Sequence, residues 1–265
     1  MPPAVAVSDI AWQQMPGLHR VERLMGTVVG IDVRDAGVDP HALDDVFAHL
    51  RDIEARFSTY RDDSEVSRLA RGELSEAECS ADLRYVLALC ENLRETSDGH
   101  FDIRRAGRDG GLDPSGLVKG WSIEEAGEIL HQAGGRNFSI NAGGDVIARG
   151  EPEPGRPWRV GIRHPEFADR LAAVLEVRDV AVATTGAYER GDHIRDPHTG
   201  RPPRGLRSVT VVGPSLTYAD AYATAAFAMG SDGLAWVARH PGYGVLGITD
   251  DGSVRFTPDV ERLLS

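Results

Sequence analysis

The amino-acid sequence predicts an α+β fold, in which helices pack against a mixed, mostly antiparallel sheet. Segments with helical periodicity alternate along the chain with extended segments rich in Val and Ile. Several extended segments are joined by short glycine-containing turns, and such turns connect antiparallel neighbours. No Pro/Ser-rich linker divides the 265 residues. We therefore expect an N-terminal extension over residues 1–20 and a single domain over residues 21–265.

The first half of the chain predicts a strand over residues 25–33 and helices over residues 41–58 and 80–96. In the first helix the apolar residues share one face, and they are Leu43, Val46, Phe47, Leu50, Ile53 and Phe57. Ser80 is a good N-cap for the second helix. Cys90 lies on the apolar face of that helix, so we expect it to be a small hydrophobic core residue.

The second half predicts a third helix from Ser122 to Gly134, because Ser122 and Glu125 have capping-box spacing and glycine favours a helix end. Strands and helices then alternate to the C-terminus. The predicted strands cover residues 137–150 (two strands around a glycine turn), 157–165, 170–186 and 207–214, the helices cover 218–230 and 232–242, and a hairpin over 243–258 turns at Asp251–Gly252.

The charge balance argues against nucleic acid or an anionic membrane as the main partner. The net charge is −12, from 29 basic and 41 acidic residues. No run of 18 apolar residues predicts a membrane span, and the N-terminal sequence does not resemble a signal peptide. The two cysteines, Cys79 and Cys90, form no CxxC pair. We expect a cytoplasmic protein.

Asp220 and Thr224 are the first candidates for a functional site. They are four residues apart in the predicted helix "YADAYAT", so their side chains share one face. A carboxylate and a hydroxyl presented together suit Mg²⁺, which takes oxygen ligands. A solvated Asp beside a Thr bonded to its own helix explains the same spacing, and the spacing alone favours that interpretation.

Three other stretches combine backbone freedom with polar groups. "LDPSGLVKGWS" (112–122) places Lys119 just before the predicted third helix, where a lysine can meet phosphate. "NAGGD" (141–145) lets a ligand approach the main chain closely, and "FSTYRDDSE" (57–65) offers Tyr60 for stacking. A capped loop, a tight β-turn and a rim aromatic are the ordinary alternatives for these stretches.

The stretch "HIRDPHTG" (193–200) is either a surface turn or the rim of a site. Pro197 and Gly200 favour a turn, and Asp196 can fix it by accepting backbone amides. His193 is chemically more interesting, since an imidazole with an ordinary pKa of about 6.5 is a suitable base near neutral pH.

The order of these motifs is more specific than any one of them. They run as "MGT" (25–27), "FSTYRDDSEVSRL" (57–69), "DGHFDI" (98–103), "LDPSGLVKGWS" (112–122), "NFSINAGGDVIARG" (137–150), "VATTGAYER" (182–190), "HIRDPHTG" (193–200) and "SVTVVGPSLTYADAYATAAFAMG" (208–230). In this order, over about residues 21 to 250, the chain resembles the FAD:protein FMN transferase family, ApbE. The resemblance implies a T-fold-like α+β domain and a Mg²⁺-dependent enzyme. Such an enzyme moves FMN from FAD to a Ser or Thr hydroxyl of an acceptor protein and releases AMP.

The resemblance also implies site residues. The metal ligands would be the carboxylate of Asp220, the hydroxyl of Thr224 and the main-chain oxygen of Gly116. Contacts to FAD would come from Met25, Tyr60, His100, Phe101, Asp102, Asp113, Lys119, Gly143, Gly144, Thr185 and Ile194. We add His193 as the hypothetical base that takes the proton of the incoming hydroxyl, a reaction in which positioning and charge neutralisation dominate.

The chain departs from the family pattern in one place. Only residues 104–112 separate "FDI" from "LDPSG", where relatives commonly carry several tens of residues, which leaves open a more exposed flavin site or closure by another subunit of a homo-oligomer. No convincing acceptor motif occurs in the chain, so self-flavinylation is not expected. Two alternatives to transfer stay open, a Mg²⁺-dependent FAD pyrophosphatase and an FAD-binding protein without turnover.

Overall fold

The computed structural model describes residues 17–106, 111–167, 169–186 and 194–265, and within them helices and strands alternate as the sequence indicates. The strands are β1 (Leu18–Leu24), β2 (Thr27–Val33), β3 (Phe138–Ala142), β4 (Asp145–Arg149), β5 (Trp158–Arg163), β6 (Leu171–Val177), β7 (Val180–Gly186), β8 (Leu206–Gly213), β9 (Gly244–Thr249) and β10 (Val254–Phe256). The helices are α1 (His41–Phe57), α2 (Glu65–Ala70), α3 (Ala81–Thr96), α4 (Ile103–Ala106), α5 (Ser115–Gln132), α6 (Leu216–Met229), α7 (Gly233–Val237) and α8 (Pro258–Glu261). Short 3₁₀ turns cover Glu76–Glu78 and Gly230–Asp232.

Eight of these strands form one sheet in the order β1-β2-β3-β4-β7-β8-β9-β10. Each neighbouring pair is antiparallel, and β5 and β6 form a separate antiparallel pair. The sheet joins strands from both ends of the chain, which favours the expected single domain. Residues 18–20, which the sequence placed in an extension, lie in β1.

The sheet is covered on both faces in its centre. Along β7, Ala181 and Ala183 pack into the core with helices α1, α5 and α6, whereas Val182 packs against the β5–β6 pair. Residues of β8 and β9 alternate between the same two cores. Strands buried on both faces are apolar throughout instead of alternating, which explains the continuous runs of small and branched residues in β7 and β8.

Helices α5 and α6 approach each other unusually closely, and glycine makes this contact possible. A Cβ atom added at Gly120 would lie 2.5 Å from the main-chain oxygen of Leu216 and 2.8 Å from Cβ of Asp220. One turn earlier, a Cβ atom at Gly116 would lie 3.2 Å from Cγ2 of Thr224. The two helices therefore run antiparallel, with Gly116 opposite Thr224 and Gly120 opposite Asp220.

Several local predictions are confirmed. The Ser80 hydroxyl accepts a hydrogen bond from the Leu83 amide as the N-cap of α3. Gly134, at φ 96°, follows the end of α5, and Gly230, at φ 68°, follows the end of α6. Cys90 is buried, and burial raises the pKa of its thiol to about 12.

Two predicted starts are wrong. Helix α5 begins at Ser115 and not at Ser122, so Gly116 and Lys119 lie within the helix. Its first turns are buried on most sides, so they lack the one-sided apolar pattern that reveals a helix in a sequence. Strand β2 begins at Thr27, because Met25 and Gly26 form the turn that joins it to β1.

No helix within the described ranges is both long and apolar enough to cross a bilayer.

We expect the substitution Gly120→Ala to destabilise the protein by about 1–3 kcal/mol, the usual cost of overpacking a tight interface. The added methyl group would collide with backbone, which cannot move as a flexible side chain can. Gly37→Ala is the matched control, since a Cβ atom there meets nothing within 4 Å. Urea denaturation of both variants measures the difference. Equal free energies of unfolding for the two variants would contradict the proposed helix contact.

Candidate active site

Two tight turns mark one end of the large sheet. Met25 and Gly26 join β1 to β2 with φ values of 54° and 71°, and Gly143 and Gly144 join β3 to β4 with φ values of 63° and 106°. The turns touch, since the Gly143 amide donates a 3.1 Å hydrogen bond to the main-chain oxygen of Val28. A side chain at position 143 would collide with the Thr27 hydroxyl. The β-turn interpretation of "NAGGD" is therefore confirmed.

The three residues predicted to hold a metal lie together near this end of the sheet. Asp220 is buried, and its Oδ2 accepts a 3.0 Å hydrogen bond from the Gly120 amide. A Cβ atom at Gly116 would be 3.3 Å from the Thr224 hydroxyl. In a regular helix the Gly120 amide donates to the Gly116 carbonyl, so its bond to Asp220 links the carboxylate directly to the turn that carries this carbonyl.

Lys119 lies between two buried carboxylates. Its Nζ is 2.6 Å from Oδ2 of Asp145 and 4.0 Å from Oδ1 of Asp220. The other oxygen of Asp145, Oδ1, accepts a 3.0 Å hydrogen bond from the Thr184 amide in β7. The side chains of Asp145 and Asp220 are 1% and 3% exposed, whereas that of Lys119 is 20% exposed. This network connects helices α5 and α6 to strands β4 and β7.

Sequence reasoning missed Asp145. The glycines of "NAGGD" drew attention because they free the backbone, yet the carboxylate that ends the motif is the group that meets Lys119. An aspartate that opens a strand and is expected to be buried needs a partner. The need for a partner could therefore have marked Asp145 as a candidate, but the spacing of residues does not reveal that the partner is Lys119.

The "DGHFDI" stretch lies beside the first turn of α5. Phe101 is buried, and its Cε2 is 3.5 Å from the position of a Cβ atom on Gly116. Asp102 accepts a 2.9 Å hydrogen bond from the Arg104 amide, and Asp113 accepts a 3.0 Å hydrogen bond from the Ser115 amide. Both carboxylates thus accept amides at helix starts, Asp102 at α4 and Asp113 at α5. The Asp113 amide donates to the main-chain oxygen of Ile103 at 2.8 Å.

The other residues predicted to contact the flavin differ in how far they are buried. Met25 donates its amide to Glu54 at 2.9 Å, and its Sδ lies 3.6 Å from the Ser122 hydroxyl. Tyr60 follows the end of α1 and is 77% exposed. Thr185 is buried within β7, next to the Thr184 hydroxyl that bonds Thr210 at 2.9 Å.

The predicted base, His193, lies outside the described residues. Ile194 is described, and it is partly buried against the core shared by the helices. Asp196 fixes the following turn as expected, because it accepts hydrogen bonds from the His198 amide and the Thr199 hydroxyl, each at 2.9 Å. Burial alone would raise the pKa of Asp196, but these bonds outweigh it and hold the pKa below its ordinary value.

The same turn is docked on the "DGHFDI" stretch. Nε2 of His198 lies 2.7 Å from the main-chain oxygen of Asp98, and the rings of His198 and His100 are 4.5 Å apart. Arg105 donates to the main-chain oxygen of Pro197. Residues 194–201 are therefore a turn and also part of the wall beside Phe101.

A cavity of about 520 Å³ opens beside this wall. Its lining comes from the end of α3 and the region around α7, and it consists of Thr96, Ser97, Asp98, His100, Met229, Asp232, Trp236, Arg239 and His240. His100 belongs to the predicted site, whereas the metal candidates do not line this cavity.

Among the residues that the structure describes, no three His, Cys, Asp or Glu side chains are grouped to hold a metal ion. A cation at the α5–α6 contact would therefore depend on hydroxyl and main-chain oxygens beside the carboxylate of Asp220. Such a donor set suits Mg²⁺ better than a soft or imidazole-bound metal.

Comparison with known proteins places the chain among flavin transferases. The ApbE family model matches residues 25–107 and 103–246, and the two segments overlap where the shortened connection begins. The FAD:protein FMN transferase of Haemophilus influenzae is 26% identical over 300 residues, which cover 88% of this chain and 87% of the relative. That of Rhodobacter capsulatus is 38% identical over 162 residues, 58% of this chain and 31% of the relative.

Solved structures agree on the fold. The flavin transferase ApbE from Vibrio cholerae has a TM-score of 0.81 and 25% identity, with 93% of this chain and 99% of that chain covered. The ApbE protein of Thermotoga maritima has a TM-score of 0.85 and 24% identity, with 94% and 99% covered. The predicted ApbE-like α+β fold is confirmed.

Glu124 sets the alignment of α5 and α6 from the end opposite the metal candidates. Its Oε2 accepts hydrogen bonds from the Ser215 hydroxyl at 2.7 Å, from the Thr217 amide at 3.0 Å and from the Thr217 hydroxyl. A carboxylate at a helix N-terminus satisfies free amides and opposes the positive end of the helix dipole.

We expect Glu124→Ala to destabilise the protein by about 0.5–2 kcal/mol, the usual cost of losing a helix cap. Glu128→Ala is the control, because Glu128 is exposed one turn further along α5 and bonds only Gln132 within the described chain. Thermal denaturation of both variants tests the difference. A Glu128→Ala variant as unstable as Glu124→Ala would show that loss of any acidic side chain from α5 causes the effect.

Proposed function

The chain belongs to the ApbE family, and on that basis we propose that it is an FAD:protein FMN transferase that requires Mg²⁺. It transfers FMN from FAD to a Ser or Thr hydroxyl of an acceptor protein and releases AMP. The observation that carries this proposal is the glycine-mediated contact of α5 and α6, which brings Gly116, Asp220 and Thr224 together.

The donor set at this contact fits Mg²⁺. The ligands would be the Asp220 carboxylate, the Thr224 hydroxyl and the Gly116 carbonyl, all hard oxygens. Glycine at position 116 leaves open the space next to the Thr224 hydroxyl, which a side chain would fill. When bound, Mg²⁺ supplies positive charge that offsets the diphosphate of FAD, a requirement in a protein with a net charge of −12.

The surrounding residues bind and orient FAD. The first turn of α5 lies beside Phe101, and the positive end of the helix dipole there favours an anion. Lys119 has three N–H donors. The Lys119 ammonium donates to Asp145. Because the lysine side chain is partly exposed, another of its N–H groups can donate to a phosphate oxygen. The glycine turn at 143–144 lets the ligand approach the backbone.

The transfer forms a bond between the acceptor hydroxyl oxygen and the FMN phosphorus, and it breaks the bond from that phosphorus to the AMP oxygen. The hydroxyl proton goes to His193, which we retain as the proposed general base. AMP leaves as a stable phosphate and needs little help from an acid. This chain's task is therefore to position the reactants, to neutralise their charge and to accept one proton.

A direct experiment separates transfer from its two alternatives. The purified chain is incubated with FAD and Mg²⁺, with and without a protein that carries the family's Ser/Thr acceptor motif. We expect AMP and covalently bound flavin only when the acceptor is present. AMP in its absence would instead identify an FAD pyrophosphatase, and no AMP in either mixture would identify a flavin-binding protein without turnover.

Replacing Thr224 tests the metal site. We expect Thr224→Val to raise the Mg²⁺ concentration for half-maximal activity at least tenfold, because the variant keeps the shape of the side chain but loses the oxygen. Thr224→Ser restores the hydroxyl and should stay near the wild-type value. A Val variant with unchanged Mg²⁺ dependence would remove Thr224 from the ligand set.

Replacing His193 tests the base. We expect His193→Ala to lower kcat about 10²-fold or more, the usual contribution of a general base, while the Kd for FAD stays the same. His41→Ala is the control, because His41 is a highly exposed side chain at the start of α1. Loss of FAD affinity in parallel with kcat would indicate a ligand contact instead of a base.

A further inference from the structure

Lys119 lies closer to one of two buried carboxylates than to the other. Its Nζ contacts Asp145 at 2.6 Å but stays 4.0 Å from Asp220. Both carboxylates are almost fully buried, so solvent screens their attraction for the ammonium only weakly. Asp220 is therefore a second buried carboxylate near the Lys119 ammonium.

The position of Asp145 is fixed by the sheet. It opens β4 directly after the Gly143–Gly144 turn, and its Oδ1 accepts the Thr184 amide of β7. Its other oxygen, Oδ2, contacts the lysine ammonium. Asp220, in contrast, is held by the Gly120 amide on a neighbouring helix. The sheet and the helix pair thus hold the two carboxylates within 4.0 Å of one ammonium.

We propose that Asp145 is a positioning residue that holds the Lys119 ammonium away from Asp220 and keeps the Asp220 carboxylate available to a divalent cation. The inference rests on the proposed role of Asp220 as a Mg²⁺ ligand. An ammonium and a metal ion compete for the same carboxylate oxygens. Without the charge on Asp145, the nearest buried carboxylate for Lys119 is Asp220, and the lysine becomes a competitor of the metal.

Three variants test this by calorimetric titration of Mg²⁺ into the full chain without FAD. Asp145→Asn keeps an acceptor for the Thr184 amide but loses the charge, and we expect Mg²⁺ to bind at least tenfold more weakly. Lys119→Met should bind Mg²⁺ at least as tightly as the wild type. The double variant removes the competitor as well, so its affinity should return to within about threefold of the wild type.

A change in local charge alone could produce the same order of affinities, so a crystal structure of Asp145→Asn is the second measurement. We expect Lys119 Nζ to move from 4.0 Å into direct contact with Asp220. An unmoved ammonium would overturn the inference. So would a double variant that binds Mg²⁺ as weakly as Asp145→Asn.

Asp63→Asn is the control for a general loss of negative charge, because Asp63 is exposed and pairs with Arg61. It should bind Mg²⁺ like the wild type. Thermal denaturation shows whether each variant is folded at the titration temperature. A wild type that binds no Mg²⁺ would overturn the proposed metal site and this inference together, whereas normal binding by Asp145→Asn would overturn this inference alone.

Discussion

The close contact of α5 and α6 is the constraint on which the candidate site depends. At Gly120 the helices are near enough that a methyl group would meet the Leu216 carbonyl at 2.5 Å. This proximity lets the Gly120 amide reach across to Asp220. Because Gly120 follows Lys119 directly, the same turn of α5 also presents the ammonium to Asp145. Residues 119 and 120 of α5 thus contribute the close backbone contact, the hydrogen bond to Asp220 and the ion pair with Asp145.

The charges at this point explain how an acidic protein could accept an anionic substrate. Two buried carboxylates face one lysine, so the network of Asp145, Lys119 and Asp220 carries net negative charge. Such burial is costly unless the charges are paired. A divalent cation would reverse the sign of the network and make the location favourable for a diphosphate. The overall charge of −12 would then not prevent binding of an anionic ligand, because nearby charges dominate the electrostatic potential at the site.

The sequence predicts elements whose signal is local and fails where tertiary packing decides. One-sided apolar periodicity reveals α1, and Ser80 marks the start of α3, because caps and amphipathic faces are encoded within a few residues. The first turns of α5 are buried on most sides and contain two glycines, so neither periodicity nor propensity marks them. The pairing of Lys119 with Asp145 joins residues 26 positions apart, and spacing cannot reveal it.

The described ends of the shortened connection are held by hydrogen bonds, one of them to the turn that follows position 193. The Asp113 amide donates to the main-chain oxygen of Ile103, and the turn at 194–201 contacts Asp98 through His198 and accepts a hydrogen bond from Arg105. Two segments about 90 residues apart thus form one wall beside Phe101, and Phe101 in turn packs against the first turn of α5. The contacts that fix the wall beside Phe101 therefore come partly from a distant part of the chain.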